Sequence, residues 1–224
     1  MKVISMKSDI KERFDDSLSF YNKLKTNLHN DWDTISTDKT CNMYKKKHNN
    51  SNNEVRLAIK RVDGLYAKEI AYQFWDVDET VKLSWDRSME SMNVVDTCSQ
   101  SSAIMHIKLK KMVGVTNRDC VIHSEIKKIS SDEWMVLNNS IDFPVYKDEN
   151  TIRIDCNVVM IIKQSKINEE LGDVRSNIVS DIIYKANVNL GGWIPKVLVD
   201  SRCNYEWPKI LENICESAKK RYVN

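Results

Sequence analysis

Among the residues that could bind a ligand or catalyse a reaction, Arg118 is unusual because it falls on the apolar side of a predicted strand. Within residues 118–127, Cys120 and Ile122 have the same phase as Arg118, whereas Asp119 has the opposite phase. Successive side chains of a strand point to opposite faces, so this pattern aims the guanidinium inward. A strand-end arginine can also extend its head into solvent. The pattern alone leaves both interpretations open.

Histidines and cysteines lack the spacing of a catalytic or metal site. His106 and His123 fall on the outward phase of neighbouring strands, which predicts solvated surface side chains. The cysteines are scattered singly, without a CxxC pair or a histidine at zinc spacing, so we expect reduced core thiols, no metal and no cofactor. The sequence also lacks GxSxG, Walker A, GxGxxG and HExxH motifs, so no catalytic residue is predicted. The chain is therefore not expected to be an enzyme.

The composition is that of an ordinary globular protein. The chain has 224 residues, of which 42% are hydrophobic and 29% charged. Thirty-four Lys and Arg balance thirty-two Asp and Glu, a net charge of +2 that argues against nucleic-acid binding by bulk electrostatics. The first ten residues show no apolar signal segment. We expect one cytoplasmic domain over residues 1–224 that is a monomer.

The hydrophobic periodicity predicts an α+β protein. Three-to-four-residue spacing indicates an N-terminal helix over about residues 9–30 and two short helices after residue 66, the second capped by Asp78. Alternating patterns predict strands over 42–47, 55–62, 103–110, 118–127, 134–141, 152–162 and 177–188. Consecutive strands without intervening helices indicate an antiparallel sheet. The polar loop 48–53 is the expected disordered tip.

The last segment predicts a long helix over about residues 193–222. Gly191 and Gly192 permit a sharp bend before it, and an apolar stripe runs from Trp207 to Ala218. Pro208 lies inside this stripe and should kink the helix near residues 204–205 without ending it. Such a helix on a curved sheet covers either a solid core or a cavity, and alternation does not distinguish them.

Four motifs in order resemble one known family. Trp85-Asp86, Arg118-Asp119, Ile152-Arg153 and the run 188–198 with its Gly-Gly-Trp-Ile-Pro stretch are similar to the START (StAR-related lipid transfer) domain family, over roughly residues 32–214. The resemblance implies a helix-grip fold. In that fold a curved antiparallel β-sheet, here about residues 32–190, wraps around a long C-terminal lid helix, with an internal hydrophobic tunnel for one lipid.

The resemblance also implies a set of site residues. Arg118 matches the cavity arginine of the family, and the segment 110–116 matches the loop that gates the tunnel. The candidate ligand-binding residues are Arg118, Met105, Ile107, Leu109, Cys120, Ile122, Ile182, Tyr184, Ile210 and Ile214. The candidate membrane and gate residues are Lys110, Lys111, Met112, Val113, Val115, Trp193 and Lys196.

The sequence departs from the family pattern at two places, which bear on the type of lipid that binds and on the partner of Arg118. The positions that match an aromatic choline cage are Ile107, Cys120 and Asn157, so a choline-specific cage is not expected. The acidic partner of Arg118 is also not fixed by the resemblance. An inward arginine needs a counter-group, an ordered water or a lipid oxygen beside it, and the candidate counter-groups on the protein are Glu90, Asp96 and Asp155.

The sequence therefore predicts a non-enzymatic lipid-binding protein that carries one phospholipid, sterol or related lipid between membranes. Its expected partners are the lipid and, transiently, a membrane surface, so the cytoplasmic protein would be peripheral to membranes. One alternative is a lipid-sensing regulatory or interaction module. The other is an enzyme on the same fold, an acyl-CoA hydrolase or a cyclase, for which no set of acid, base and nucleophile is visible.

Overall fold

The computed structural model describes residues 2–27, 32–37, 41–47, 54–111, 114–145, 149–171, 174–194 and 196–223. They form two compact units, Met1–Asp33 and Thr34–Asn224. The helices are α1 (Lys2–Asn27), α2 (Ala67–Trp75), α3 (Glu79–Trp85) and α4 (Lys196–Tyr222). The strands are β1 (Asp33–Thr37), β2 (Cys41–Lys47), β3 (Glu54–Asp63), β4 (Met89–Ser99), β5 (Ser102–Leu109), β6 (Asn117–Lys128), β7 (Glu133–Ser140), β8 (Thr151–Arg153), β9 (Asp155–Lys166) and β10 (Ile178–Asn189).

The first unit contains α1, which extends the predicted helix to 26 residues. The ring of Phe20 in α1 meets the ring of Trp32, which follows the helix, edge to face with centroids 6.2 Å apart. The predicted tip at residues 48–53 lies outside the described residues. No helix among the described residues has the length and apolar composition needed to cross a membrane.

The second unit is built on one sheet with the order β1-β2-β3-β10-β9-β7-β6-β5-β4. The neighbouring pairs from β2 to β4 are antiparallel, as the run of strands without helices predicts. One predicted strand, 152–162, is in fact broken at Ile154. The piece before the break, β8, pairs in parallel with β6, and Ile154 N–H donates to the carbonyl of Asp119 at 2.9 Å. This break places Ile152 opposite Arg118.

Local hydrogen bonds explain where the short helices start. The Oδ1 of Asp78 accepts the backbone N–H of Thr80 at 2.7 Å, so Asp78 caps α3 as predicted. At α2, the Oε2 of Glu69 accepts the N–H of Tyr66 at 3.0 Å, which satisfies a donor that the helix leaves free. Helix α4 continues through Pro208 to Tyr222, as predicted.

Two apolar clusters fill the inner face of the sheet. The first, here the α4 cluster, joins β2, β3, β7, β9 and β10 to the three helices of this unit. The second, here the β5–β6 cluster, lies toward the β4 edge, and Cys156 and Val188 pack against both. The α4 cluster includes Met43, Ala58, Val136, Met160, Ile162, Ile182, Tyr184, Trp207, Leu211 and Ile214, and the β5–β6 cluster contains Met89, Met92, Ala103, Met105, Cys120, Ile122 and Ile154.

Candidate functional site

Arg118 is buried, with 5% of its surface exposed, and among the described residues the acceptors of its guanidinium are backbone carbonyls. Nη1 donates to the carbonyl of Thr116 at 2.5 Å, Nε to that of Leu190 at 3.0 Å, and Nη2 to that of Gly191 at 3.3 Å. Thr116 ends the predicted gate segment, whereas residues 190–191 precede α4. Arg118 therefore ties the gate segment to the start of the predicted lid.

The glycine pair shapes the turn that supplies two of these carbonyls. Gly191 and Gly192 both have φ of +61°, a left-handed conformation that L side chains rarely adopt. A Cβ on Gly191 would lie 2.7 Å from Cγ2 of Ile152, and one on Gly192 would lie 2.8 Å from its Cδ1. Because Ile152 pairs with Arg118, three of the four family-like motifs meet at one place.

Arg118 does not have the acidic partner that was a candidate from the sequence. Glu90 and Asp96 are exposed, Asp155 accepts a hydrogen bond from Asn157, and none of these three carboxylates contacts the guanidinium. Burial lowers the pKa of Arg118 from its ordinary value. A guanidinium has five N–H groups, and three donate to carbonyls here. The other two have no acceptor among the residues that the structure describes.

The side chain of Asp119, the next residue, lies on the opposite face of the sheet. Its two carboxylate oxygens accept from Nε and Nη2 of Arg153 at 2.7 and 3.0 Å, and Oδ2 also accepts from Nε2 of His106 at 2.8 Å. Burial raises the pKa of Asp119, but the bonds from Arg153 and His106 outweigh it, so the pKa lies below its ordinary value. Arg118 therefore joins β6 to the turn before α4. Asp119 joins β6 to Arg153 of β8 and to His106 of β5.

The prediction of solvated histidines is wrong. His106 and His123 are only 7% and 3% exposed. His123 lies 2.6 Å from the hydroxyl of Ser102 through Nε2, just as His106 bonds Asp119. The outward face of β5 and β6 is buried as well, including Ile104 and Val121, so the alternation did not mark a wet face. A strand buried on both faces loses the contrast on which that inference depended.

The predicted ligand-binding residues divide between the two apolar clusters. Met105, Cys120 and Ile122 belong to the β5–β6 cluster, with Ile107 and Leu109 packed against it. Ile182, Tyr184 and Ile214 belong to the α4 cluster, with Ile210 packed against it. All therefore lie on the inner side of the sheet. Their contact with a ligand, and the tunnel itself, stay predictions.

Three of the four predicted gate residues whose side chains the structure describes are exposed. Lys110 and Lys111 are exposed, Val115 is half-buried, and Trp193 is 87% exposed. Met112 and Val113 lie outside the described residues, as does the side chain of Lys196. An indole so far out of the core suits a membrane contact, which remains a prediction.

Lys82 is an inner-face residue that the sequence analysis missed. It is 4% exposed, and its Nζ donates to the carbonyl of Phe74 while lying 5.2 Å from the ring centroids of both Phe74 and Trp85. Burial lowers the pKa of Lys82 to about 8, against the raising effect of Asp86 and Asp76. The indole N–H of Trp85 is buried and has no acceptor within the described part of the chain. Lys82 lies three residues before Trp85 in the predicted helix, and this spacing could have indicated that the two side chains are neighbours.

The cysteines are free thiols, and Cys98 is exposed. Cys41, Cys120 and Cys215 are buried, and burial raises the pKa of Cys156 to about 12. Such thiols are poor nucleophiles and poor metal ligands. Among the described residues, no three His, Cys, Asp or Glu side chains are grouped to hold a metal ion.

Comparison with known proteins gives a consistent result. The START domain model matches residues 15–219. The ceramide transfer proteins of Homo sapiens and Mus musculus are each 30% identical to this chain over 175 and 174 residues. Each alignment covers 73% of this chain and 27% of the relative, so the chain spans about a quarter of the length of these curated relatives.

Solved structures show the same fold. Human StAR-related lipid transfer protein 5 matches with a TM-score of 0.77 and 11% identity, over 97% of this chain and 99% of the other. The crystal structure of human STARD10 matches with a TM-score of 0.73 and 12% identity, over 92% of this chain and 81% of the other. At these identities the likeness concerns the fold alone, and the predicted α+β helix-grip architecture is confirmed.

Proposed function

The chain belongs to the START domain family, and from that premise we propose that it binds one lipid on the inner face of its sheet and transfers it between membranes. The apolar side chains of the β5–β6 and α4 clusters would bury the acyl portion, which supplies affinity without direction. Helix α4 would cover the bound lipid. Transfer requires transient contact with a membrane surface by a protein that is otherwise cytoplasmic.

The observation that carries the proposal is Arg118, a buried cation at the end of an apolar face with two N–H groups to offer. These donors suit an oxygen of the lipid's polar head. The relatives named as ceramide transfer proteins make ceramide the first lipid to test. Since the positions matching a choline cage are not aromatic, phosphatidylcholine is the expected poorer ligand.

The test is a transfer assay with the delipidated chain. Donor vesicles carry fluorescent ceramide or fluorescent phosphatidylcholine, and acceptor vesicles are plain. We expect the chain to move ceramide faster, and Arg118→Leu to slow it by roughly tenfold or more, a loss equivalent to about 1.4 kcal/mol of binding. Arg61→Leu, which removes an exposed arginine, is the matched control and should transfer normally. If neither lipid is extracted, the proposal is wrong.

A lipid sensor is the second candidate, because a buried site with exposed Trp193 nearby also suits a protein that reports membrane composition. A sensor would bind lipid at equilibrium but release it to acceptor vesicles no faster than spontaneous exchange. Measuring both extraction and delivery in the same assay therefore separates the two functions. Mass spectrometry of copurified lipid would identify the class of ligand in either case.

A further inference from the structure

The turn before α4 contacts both Arg118 and β8. Its Leu190 and Gly191 carbonyls accept from Nε and Nη2 of Arg118 at 3.0 and 3.3 Å. A Cβ on Gly192 would lie 2.8 Å from Cδ1 of Ile152 and 3.9 Å from Nη2 of Arg118. The turn is therefore packed on Ile152 of β8 while it bonds to the guanidinium. The position in which β8 holds Ile152 determines where these two carbonyls lie.

Strand β8 is too short for backbone pairing to hold it firmly. Its three residues, Thr151–Arg153, pair in parallel with residues 117–119 of β6, and the N–H of Ile154 donates to the carbonyl of Asp119 at 2.9 Å. Strands in globular proteins usually have about five or six residues, and parallel pairs are slightly less stable per residue than antiparallel ones. Side-chain contacts therefore contribute to fixing this strand.

A charged contact holds β8 on the outer face of the sheet, the face opposite the two apolar clusters. Nε and Nη2 of Arg153 donate to the two carboxylate oxygens of Asp119 at 2.7 and 3.0 Å, and Nε2 of His106 donates to Oδ2 at 2.8 Å. The side chain of Asp119 is only 3% exposed. Bidentate bonds between a guanidinium and a carboxylate are strong and fix orientation as well as distance. These three residues, here the positioning cluster, join β8 to β6 and β5.

The register of β8 connects the positioning cluster to Arg118 on the inner face. Asp119 lies opposite Arg153, and one residue earlier Arg118 lies opposite Ile152. Because successive side chains of a strand point to opposite faces, fixing the outer pair also fixes the inner pair. A displacement of β8 would therefore move the turn and two of the acceptors of Arg118.

We propose that the positioning cluster orients Arg118 for lipid binding, although it lies on the other face of the sheet. The cluster keeps β8 in place, Ile152 then supports the turn, and the turn holds the guanidinium ready for the polar head of the lipid. A donor that is already held in place loses less conformational freedom when it binds, which raises affinity. The inference rests on the proposed function, because it takes Arg118 to bind the lipid.

The first test measures the affinity of the full, delipidated chain for fluorescent ceramide in a vesicle titration. Arg153→Met removes both bonds to Asp119 and should weaken binding by roughly fivefold, less than the roughly tenfold expected for Arg118→Leu, because the guanidinium is still present but less well held. Arg153→Lys restores a cation beside the carboxylate and should recover part of the loss.

Arg175→Met is the matched control. Arg175 also donates two bonds to one carboxylate, that of Glu69, at 2.8 and 2.7 Å, and its side chain is 32% exposed, against 27% for Arg153. Both variants should lower the free energy of unfolding. Arg175→Met should nevertheless leave ceramide affinity within about twofold of the wild type, because Arg175 holds other elements, α2 and the end of α4.

A double variant tests whether the positioning cluster acts through Arg118. If it does, Arg153→Met should weaken ceramide binding in the wild-type background and change it by less than about twofold in the Arg118→Leu background. Equal losses in the two backgrounds would overturn the proposal. Equal losses from Arg153→Met and Arg175→Met would overturn it as well, because they would mean that lower stability alone weakens binding.

The second readout needs no lipid. The Nε–H of Arg118 donates to the carbonyl of Leu190, so its NMR signal reports on that bond. In the lipid-free chain, Arg153→Met should shift this signal and speed its hydrogen exchange, whereas Arg175→Met should leave it in place. Ile152→Ala removes the side chain that supports the turn. It should have the same effect as Arg153→Met and replaces it if that variant folds poorly.

The two readouts separate the failure of this inference from the failure of the proposed function. If the wild type binds no ceramide but the Arg118 signal responds as expected, the proposed function is wrong and the positioning of the guanidinium stands. If ceramide binds and Arg118→Leu weakens it, but neither Arg153→Met nor Ile152→Ala alters the affinity or the signal, the cluster does not position Arg118 and the proposal is overturned.

Discussion

A buried lysine gives this domain a pH dependence in an unusual range. Burial holds the pKa of Lys82 at about 8, below its ordinary 10.5, so the folded protein releases this proton more readily than the unfolded chain. Between these two values the unfolded state binds more protons, and the free energy of unfolding therefore rises with pH. Below pH 8 the cost of the buried charge is fully present. Its size is on the order of 3 kcal/mol.

We expect Lys82→Met to flatten this dependence. Urea unfolding of the wild type should give a free energy of unfolding that increases from about pH 8 to about pH 10, and the variant should lose most of that increase. Lys68→Met replaces an exposed lysine on α2 and should keep the wild-type slope. An unchanged slope in Lys82→Met would show that Lys82 does not titrate in this window.

Arg118 and Asp119 show how much a residue pattern can predict. Strand alternation gave Arg118 its inward direction, because the phase of a strand is a local property. Two of its three acceptors are carbonyls more than 70 residues later in the chain, at Leu190 and Gly191, and no local pattern encodes such a contact. Glu90, Asp96 and Asp155 were the predicted counter-groups on the protein, but backbone oxygens can also accept hydrogen bonds from a buried guanidinium.

At the scale of elements, the order of helices and strands could be predicted, but burial of the sheet's second face could not. The periods of 3.6 and 2 located α2, α3, α4 and most strands within a few residues. The errors have a common origin in tertiary structure. The break at Ile154 accompanies the pairing of β8 with β6, and the buried His106 and His123 each have a polar partner across the strand pair that satisfies a ring nitrogen.

The turn before α4 requires glycine at position 191, and this requirement can be tested by substitution. Gly191→Ala should lower the free energy of unfolding by about 2 kcal/mol or more, since both its positive φ and the 2.7 Å approach to Ile152 oppose a Cβ. Gly114→Ala is the matched control. It has a similar φ of 74° with no atom within 4 Å of the added Cβ, so it reports the backbone cost alone. Both are measured by urea unfolding.

Adding Ile152→Ala to this experiment isolates the steric part. The double variant with Gly191→Ala should be more stable than the sum of the single effects predicts, because the Cγ2 methyl that the new Cβ would meet is gone. Strict additivity would contradict the packing argument. It would leave the conformation of the turn as the whole reason for the glycine.

The whole molecule has exposed apolar side chains at both ends of β10. Trp193 and Val197 follow its last residue, while Ile167 donates its N–H to Asn177 just before its first residue. Twelve residues of strand separate the two ends by about 37 Å. Lys110 and Lys111 belong to the segment that Arg118 joins to the Trp193 turn, so exposed apolar and basic side chains lie at that end of β10. Exposed apolar and basic side chains together favour binding of this end to an anionic membrane surface.

We expect transfer to be faster with anionic vesicles and to slow as salt rises, because each lysine near such a surface contributes up to about 1 kcal/mol that salt screens. Trp193→Ser should slow transfer while leaving equilibrium lipid affinity nearly unchanged, since the indole is 87% exposed and belongs to neither apolar cluster. Ile167→Ser is the matched control, because its side chain is 66% exposed at the far end of β10. Equal slowing by both variants would mean that exposed apolar area anywhere on the domain promotes membrane contact. No slowing by Trp193→Ser at low salt would place the membrane contact on another surface.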